Sequence, residues 1–362
     1  MSIDELMALC PNLERVALVV SWFGTDLRAG ECRIVPGVET AVRNGESKAW
    51  SVSGIARGSA HVVSGNSGVP AYGGTPDDAA VLAAIADLKA RGLEVYLYPF
   101  LMMDIPSDNA LPDPSASGVQ PAYPWRGRIT CFPATGRPDS VDRTAVAHGQ
   151  VDAFIGTARA ADFLLSGQQV AYGGSGDGYR RFILHYAQLA RAAGGVDGFL
   201  LGSELRGLTA VRDEADRFPF VDALVALAAD VKALLPTARL TYGADWSEYF
   251  GYHPQDGSGD VYFNLDPLWA SSAIDAVGID NYMPLADWRD EDLSEANPDG
   301  FRSAEDGAAI AAAISAGEGF DWYYATDADR IARIRTTITD SLADKPWTFR
   351  YKDIGGWWNN LH

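Results

Sequence analysis

Cysteine is nearly missing from this 362-residue chain: it has Cys10, Cys32 and Cys131, and no C-x-x-C pair. At least one of the three must stay unpaired, which argues against a disulfide framework. Positive charge is scarce too, with 29 Lys and Arg against 48 Asp and Glu and a formal charge of -19. Nucleic acid and anionic membrane surfaces are bound through positive charge, so neither is an expected partner. No apolar run near the N-terminus is long enough for a bilayer, Val16 to Phe23 being far too short. The chain opens Met-Ser-Ile-Asp-Glu-Leu, acidic where a signal peptide would be basic, so neither a signal peptide nor membrane insertion is expected.

Several chemical signatures are also lacking. The five histidines show no H-E-x-x-H spacing and no neighbouring cysteines, so no metal site is expected. No Gly-x-Ser-x-Gly elbow occurs, which weighs against serine hydrolase chemistry. The glycine-rich stretch 173–178 lacks both the Lys-Ser/Thr of a P-loop and a G-x-G-x-x-G spacing. It reads as a flexible loop, and no cofactor is expected.

What the chain does have is core material and a repeated alternation. Apolar residues make up 47% of it, with ten Trp. Apolar runs predict strands at Val16 to Trp22, Ala49 to Ile55, Leu93 to Leu101, Val196 to Leu201, Arg239 to Gly243 and Ala276 to Ile279. Between them lie helical stripes. Thr75 and Pro76 open one that runs through Val81, Leu82, Ile85 and Leu88. Tyr179 to Leu189 and Phe220 to Leu234 mark two more. Ser303 with Asp306 has the spacing of a capping box, and Ile331, Ile334, Ile338 and Leu342 make the last stripe. Strands alternating with helices imply parallel pairing through right-handed crossovers, the pattern of a TIM (β/α)8 barrel. Only about six strand–helix units are visible, so the barrel is expected to be truncated, its last strands missing. Residues 1–14 read as a lead-in, 15–362 as the barrel domain, and 105–176 as a long insertion shaped as a lid or substrate wall.

In such a barrel the chemistry sits where strands end. The residues at those positions are Trp22, Asp26, Arg57, Asp104, Glu204, Asp245, Trp246, Glu248, Asp280, Asn281 and Tyr282. Carboxylates, an amide and flat aromatic rings on one face suit carbohydrate. Glu204, just past an apolar strand, is the candidate proton donor, because lost hydration disfavours its charged form. Glycoside hydrolysis needs a second carboxylate, about 5–5.5 Å away for retention or ~6.5–9.5 Å for inversion. Asp245, Glu248 and Asp280 are candidates for it, and each could equally be a loop-capping or ion-paired residue. Trp357 and Trp358 are open between sugar platform and core.

Five ordered segments carry a resemblance: 17–27 (ALVVSWFGTDL), 98–104 (YPFLMMD), 202–209 (GSELRGLT), 242–249 (YGADWSEY) and 278–285 (GIDNYMPL). Together they resemble the TIM-barrel-like domain of gene transfer agents, found in the large tail-tip, host-specificity protein of these phage-like particles. That family is described as glycoside hydrolase-like. The resemblance therefore implies a cell-wall glycan (peptidoglycan or surface polysaccharide) as target, and other tail or baseplate proteins as partners. It implies a location at the particle's tail tip, with a non-catalytic glycan-binding or structural baseplate module as the alternative. Within the wider clan of barrel glycosidases, Glu204 matches the acid/base ending strand four, and Arg57 and Tyr282 resemble residues that orient the nucleophile. Ser203 stands where that clan usually has Asn. The clan's nucleophile ends strand seven, so little or no turnover is expected of this chain alone. Leu200 and Gly202 replace the acidic positions of the chitinase signature, which leaves substrate-assisted catalysis unsupported.

Overall fold

The computed structural model describes residues 2–45, 48–167 and 169–362. Its main sheet has six strands: β1 (Arg15–Gly24), β2 (Ile34–Val35), β3 (Glu94–Met103), β4 (Gly198–Ser203), β5 (Arg239–Asp245) and β6 (Gly278–Asp280). They run in the order β6-β5-β4-β3-β1-β2. β1 pairs in parallel with β3 along its whole length, from Arg15 against Glu94 to Gly24 against Met103. β4 is parallel to both β3 and β5, while the two-residue β2 returns antiparallel to β1. The expected α/β class with parallel strands holds, and among the described residues the sheet does not close into a barrel.

One expected strand is not in the sheet. Ala49 to Ile55 folds instead into a small hairpin, Ser51–Val52 against Ile55–Ala56. The cause is local: Ser53 and Gly54 both take positive φ, 55° and 81°, which turns the chain back after two residues. Direct pairing of β1 with β3 follows from this loss. Glu204 therefore ends the third parallel strand counted from β1, not the fourth.

The open sheet shows in its burial. Along β3, Val95, Leu97, Pro99, Leu101 and Met103 are buried, and the alternate residues are only half-buried. On β1, Val19 is 53% exposed, whereas Val20 and Trp22 are enclosed. A closed parallel barrel covers both faces of every strand; here only one face is fully packed. Four helices of the first unit are α1 (Asp78–Ala90), α2 (Ala145–Ile155), α3 (Tyr179–Ala192) and α4 (Pro219–Leu234). α1 starts two residues later than Thr75 and Pro76 suggest, with the Asp77 carboxylate accepting from the Ala80 amide. Thr75 turns inward, its hydroxyl donating to Ser21 O at 2.8 Å. α3 buries residues around most of its circumference, Tyr179, Phe182, Ile183, Tyr186 and Leu189 among them.

The insertion at 105–176 is not all loop: it carries the turn Arg126–Arg128, helix α2 and the hairpin Phe163–Ser166 with Gln169–Tyr172. The lead-in holds a short helix, Ile3–Leu9, closed by a capping box between Ser2 and Glu5. Contacts divide the chain into two compact units, Met1–Ala244 with Asn264–Gly278, and Asp245–Phe263 with Ile279–His362. The second unit has short helices only, Gly307–Ala313, Asp327–Ala332 and Ile354–Asn359 among them. Its expected last helix ends early. Arg333 takes a left-handed φ of 52°, Thr336–Thr337 pairs as a strand, and Ile331 and Leu342 are each 80% exposed. A β-branched stretch of low helix propensity explains the early stop. Among the described residues, no helix is long and apolar enough to cross a membrane. All three cysteines are free.

Candidate active site

Three neighbouring parallel strands of the first unit end in carboxylates. Asp26 follows β1, Asp104 follows β3 and Glu204 follows β4. All three are buried. Because β1 and β3 finish level, Gly24 against Met103, their carboxylates reach the same edge of the sheet.

Glu204 has the most constrained backbone of the three. Its φ is 54°, a left-handed conformation that costs a non-glycine residue about 1–3 kcal/mol. Neighbouring groups hold it there. The Glu204 amide donates to Gly243 O at 2.8 Å, and the Leu205 amide donates to the Tyr242 hydroxyl at 2.6 Å. Just before it, Gly202 takes φ 113°, and a Cβ there would lie 1.7 Å from the Tyr179 hydroxyl oxygen. That hydroxyl donates to Leu201 O at 2.6 Å. Only glycine fits, and the strand end is thereby fixed.

The Glu204 side chain meets two donors. Trp125 Nε1 donates to its Oε2 at 2.5 Å, and Arg126 Nη2 lies 3.1 Å from the same oxygen. Arg126 is itself buried, donating to Ser203 O at 2.8 Å and Ser203 Oγ at 2.7 Å, with its guanidinium 3.7 Å over the Phe100 ring. Ser203, standing where the glycosidase clan has Asn, is thus engaged with Arg126. An indole N–H and a guanidinium thus converge on one carboxylate oxygen. Around the carboxylate expected to serve as proton donor, charge partners as well as burial are present.

Asp104 accepts from the Ser64 hydroxyl at 2.6 Å and the Ser64 amide at 3.0 Å, and His61 Nε2 lies 2.6 Å away. Burial alone would push its carboxyl up, but His61 and the two Ser64 donors outweigh that and hold it below the usual range. Tyr123 and Tyr72 stand beside it, ring edge to face at 5.6 Å, and the Tyr123 hydroxyl oxygen lies 3.2 Å from the Ser64 hydroxyl. Asp26 pairs with Arg28 at 2.6 Å and accepts from Gln120 Nε2 at 2.7 Å.

One short segment of the insertion therefore reaches all three carboxylates. Gln120 meets Asp26, Tyr123 meets the Ser64 that holds Asp104, and Trp125 with Arg126 meets Glu204. Its close seating needs Gly207, where a Cβ would lie 2.4 Å from Ile129 O. None of these insertion residues was singled out from the sequence; the run Tyr-Pro-Trp-Arg-Gly-Arg (123–128) was the available signal.

Other expected site residues lie elsewhere. Trp22 is not on the rim but in the core, its ring 5.5 Å from Phe182 and 5.4 Å from His185. As a β1 residue facing α3, it is on the packed side of the sheet. Arg57 sits in the 34–75 stretch, 3.7 Å from Glu39 and donating to Thr40 O at 3.3 Å. In the second unit, Asp245, Trp246, Glu248 and Asp280 come together: the Asp245 amide donates to Glu248 Oε2 at 3.0 Å and the Trp246 amide to Asp280 O at 3.1 Å. Asp245 also accepts from the Ser247 amide at 2.9 Å, the geometry of a loop-capping carboxylate. The Asn281 side chain accepts from the Met283 amide at 2.9 Å, and Tyr282 is 70% exposed. Of the two tryptophans left open, Trp357 is buried against Tyr249 and Trp358 is exposed.

His148, Asp213 and Glu214 bring possible metal-ligand atoms within 4.8 Å of one another. Asp213 already accepts from the Arg217 guanidinium at 2.8 Å and from the Ala215 and Arg217 amides at 2.8 and 3.0 Å. A carboxylate so occupied staples its loop.

Comparison with solved structures gives distant matches. They include a GH113 β-1,4-mannanase at 15% identity and TM-score 0.38, a complex of GH113 β-1,4-mannanase at 16% and 0.36, and the GH113 β-mannanase AaManA from Alicyclobacillus acidocaldarius in complex with ManMIm at 16% and 0.35. The matches cover 78–80% of this chain but only 56–58% of those chains. No curated protein matches. The model of the GTA TIM-barrel-like domain matches residues 177–362, more than half of the chain, including β4, Glu204 and β5. The chain belongs to the GTA TIM-barrel-like domain family.

Proposed function

We propose that this chain processes cell-wall or surface glycan at the carboxyl ends of its strands, as part of the tail tip of a phage-like particle. The observation that carries the reading is the row Asp26, Asp104 and Glu204 on three adjacent strands, with aromatic rings set beside it. Trp125 is 39% exposed while its N–H holds Glu204, so part of its indole is available to a sugar's C–H surface next to the carboxylate. Tyr72 and Tyr123 serve the same purpose beside Asp104. Glu204 is the residue that acts on the glycosidic bond. The family's name supports the particle context, in which other tail or baseplate proteins are the partners.

The test is release of reducing ends from peptidoglycan or a soluble oligosaccharide by the intact protein. Glu204→Gln lowers turnover by about 10²–10⁴-fold, the range for a lost general acid or base, while glycan binding persists. Turnover at the parent rate in that variant refutes the role of Glu204. A second reading, glycan binding without hydrolysis, is favoured by the Arg126 and Trp125 contacts, which already occupy Glu204 Oε2. On that reading the parent protein binds glycan and releases no reducing ends.

A further inference from the structure

Two cavities of the first unit are lined by residues other than Glu204. A cavity of about 530 Å³ opens between the 30–33 turn, the end of α2 and the start of α3. Another, of about 280 Å³, is lined by Thr25, Arg33, Ser59 and His61. Arg33 and Asp177 line both, and their ion pair, with Nε–Oδ2 at 2.9 Å, stands between them. Volumes in this range match small-ligand sites, typically about 300–1,000 Å³.

We infer that the two cavities form one extended groove for an uncharged oligosaccharide, with the Arg33–Asp177 pair as its hydrogen-bonding floor. The inference rests on the glycan reading above and deepens it by naming where the chain of sugars lies. Charge selects the ligand class. The larger cavity sets Arg33 and Arg181 against Glu31, Asp152 and Asp177, a lining one charge negative that disfavours an anion and whose two guanidinium groups offset most of the attraction for a cation. Neutral hydroxyl groups, which both donate and accept, suit such a lining. The polar groups are already fixed: Arg181 Nη1 donates to Asp177 Oδ1 at 2.5 Å, and the Tyr172 hydroxyl donates to Ser175 O at 2.9 Å. Tyr172 also lies 4.7 Å from the Arg181 guanidinium, which holds its ring as a flat wall. At its other end the groove reaches His61, which bonds Asp104, so a bound chain leads back to the carboxylate row.

Titration of the whole protein with chitotetraose, followed by amide resonances, tests the inference. Binding shifts Gly176 and Gly178. Arg33→Ala, which removes an exposed arm of the pair, weakens binding about tenfold, the loss expected for one charge-assisted hydrogen bond. Ser175→Trp, at an exposed loop position, fills the groove and abolishes those shifts without touching the fold. Inorganic phosphate produces none of them. If chitotetraose binds and both variants bind it as the parent does, the groove is wrong while the glycan reading stands. If phosphate binds there in preference, the ligand is an anion and the inference fails. If neither chitotetraose nor cell-wall glycan binds the parent protein, both readings fall together.

Discussion

Both units bury carboxylates against guanidinium groups, but they place them differently. In the first unit the carboxylates stand at strand ends, and a distant insertion segment reaches across to them. In the second they form a local web: Asp287 with Arg289, Asp292 with Arg333, Asp299 with Arg335 and Glu318 with Arg330, all between residues 287 and 335. The first unit rests on long strands and a large apolar core, whereas few large apolar residues are buried in the second, Tyr249, Phe301, Tyr324 and Trp357 among them. The same chemistry thus has two uses. On a rigid sheet it holds side chains in one row; in a strand-poor unit it replaces a core.

The largest expected effect separates these uses. Glu204→Gln removes turnover by the factor given above and leaves the fold nearly intact, because Gln still accepts from Arg126. Asp287→Asn does the reverse, leaving glycan turnover unchanged while hydrogen exchange speeds up across residues 287–335. Identical effects of the two variants on turnover would erase the distinction.

Next is Gly202→Ala. The added methyl meets the Tyr179 hydroxyl in a backbone conformation that L side chains rarely adopt, so we expect a loss of roughly 3 kcal/mol or more by denaturant unfolding. A loss below about 1 kcal/mol would mean that the strand end is not fixed as described.

Salt and acid sharpen the contrast further. At about 1 M salt the screening length falls to ~3 Å, so the web of the second unit loosens while β3 and β4 amides stay protected. Acid acts by the same route. Burial would raise Asp287, but Arg289, Tyr324 and Arg333 lower it overall, and Arg333 holds Asp292 well below the usual range. Carboxyls so depressed stabilise the fold above the ordinary carboxylate pKa of about 4, and that stabilisation is lost as pH falls through their folded values. Exchange in residues 287–335 is expected to rise first on acidification; earlier loss of protection in β3 would contradict the comparison.

The smallest effect concerns the thiols. Burial pushes Cys32 up to about 12 and Cys131 up to about 11, while Cys10 is exposed. One thiol should react with an aromatic disulfide reagent in the folded protein and three after unfolding.

Legibility in the sequence followed the same divide. β1, β3, β4 and β5 could be read because each is an apolar run long enough to span a packed sheet. The 49–55 run could not, since Ser53 and Gly54 turn it within two residues. The stripe from Ile331 to Leu342 misled because its period survives while Ile331, Ile334 and Leu342 face solvent and only Ile338 is buried. At the site, Glu204, Asp104 and Asp26 were legible from their positions after strands. Their partners Gln120, Trp125 and Arg126 were not, because a non-periodic insertion gives no sign of which strand end it will meet.

The most direct test of the account is the Trp125 indole N–H resonance during titration with soluble peptidoglycan fragments. Trp125 Nε1 donates that proton to Glu204, so glycan engaged at the carboxylate row must shift its resonance, with the same midpoint as binding measured by calorimetry. Saturable binding that leaves the Trp125 indole signal in place would show that the glycan is held somewhere other than at Glu204.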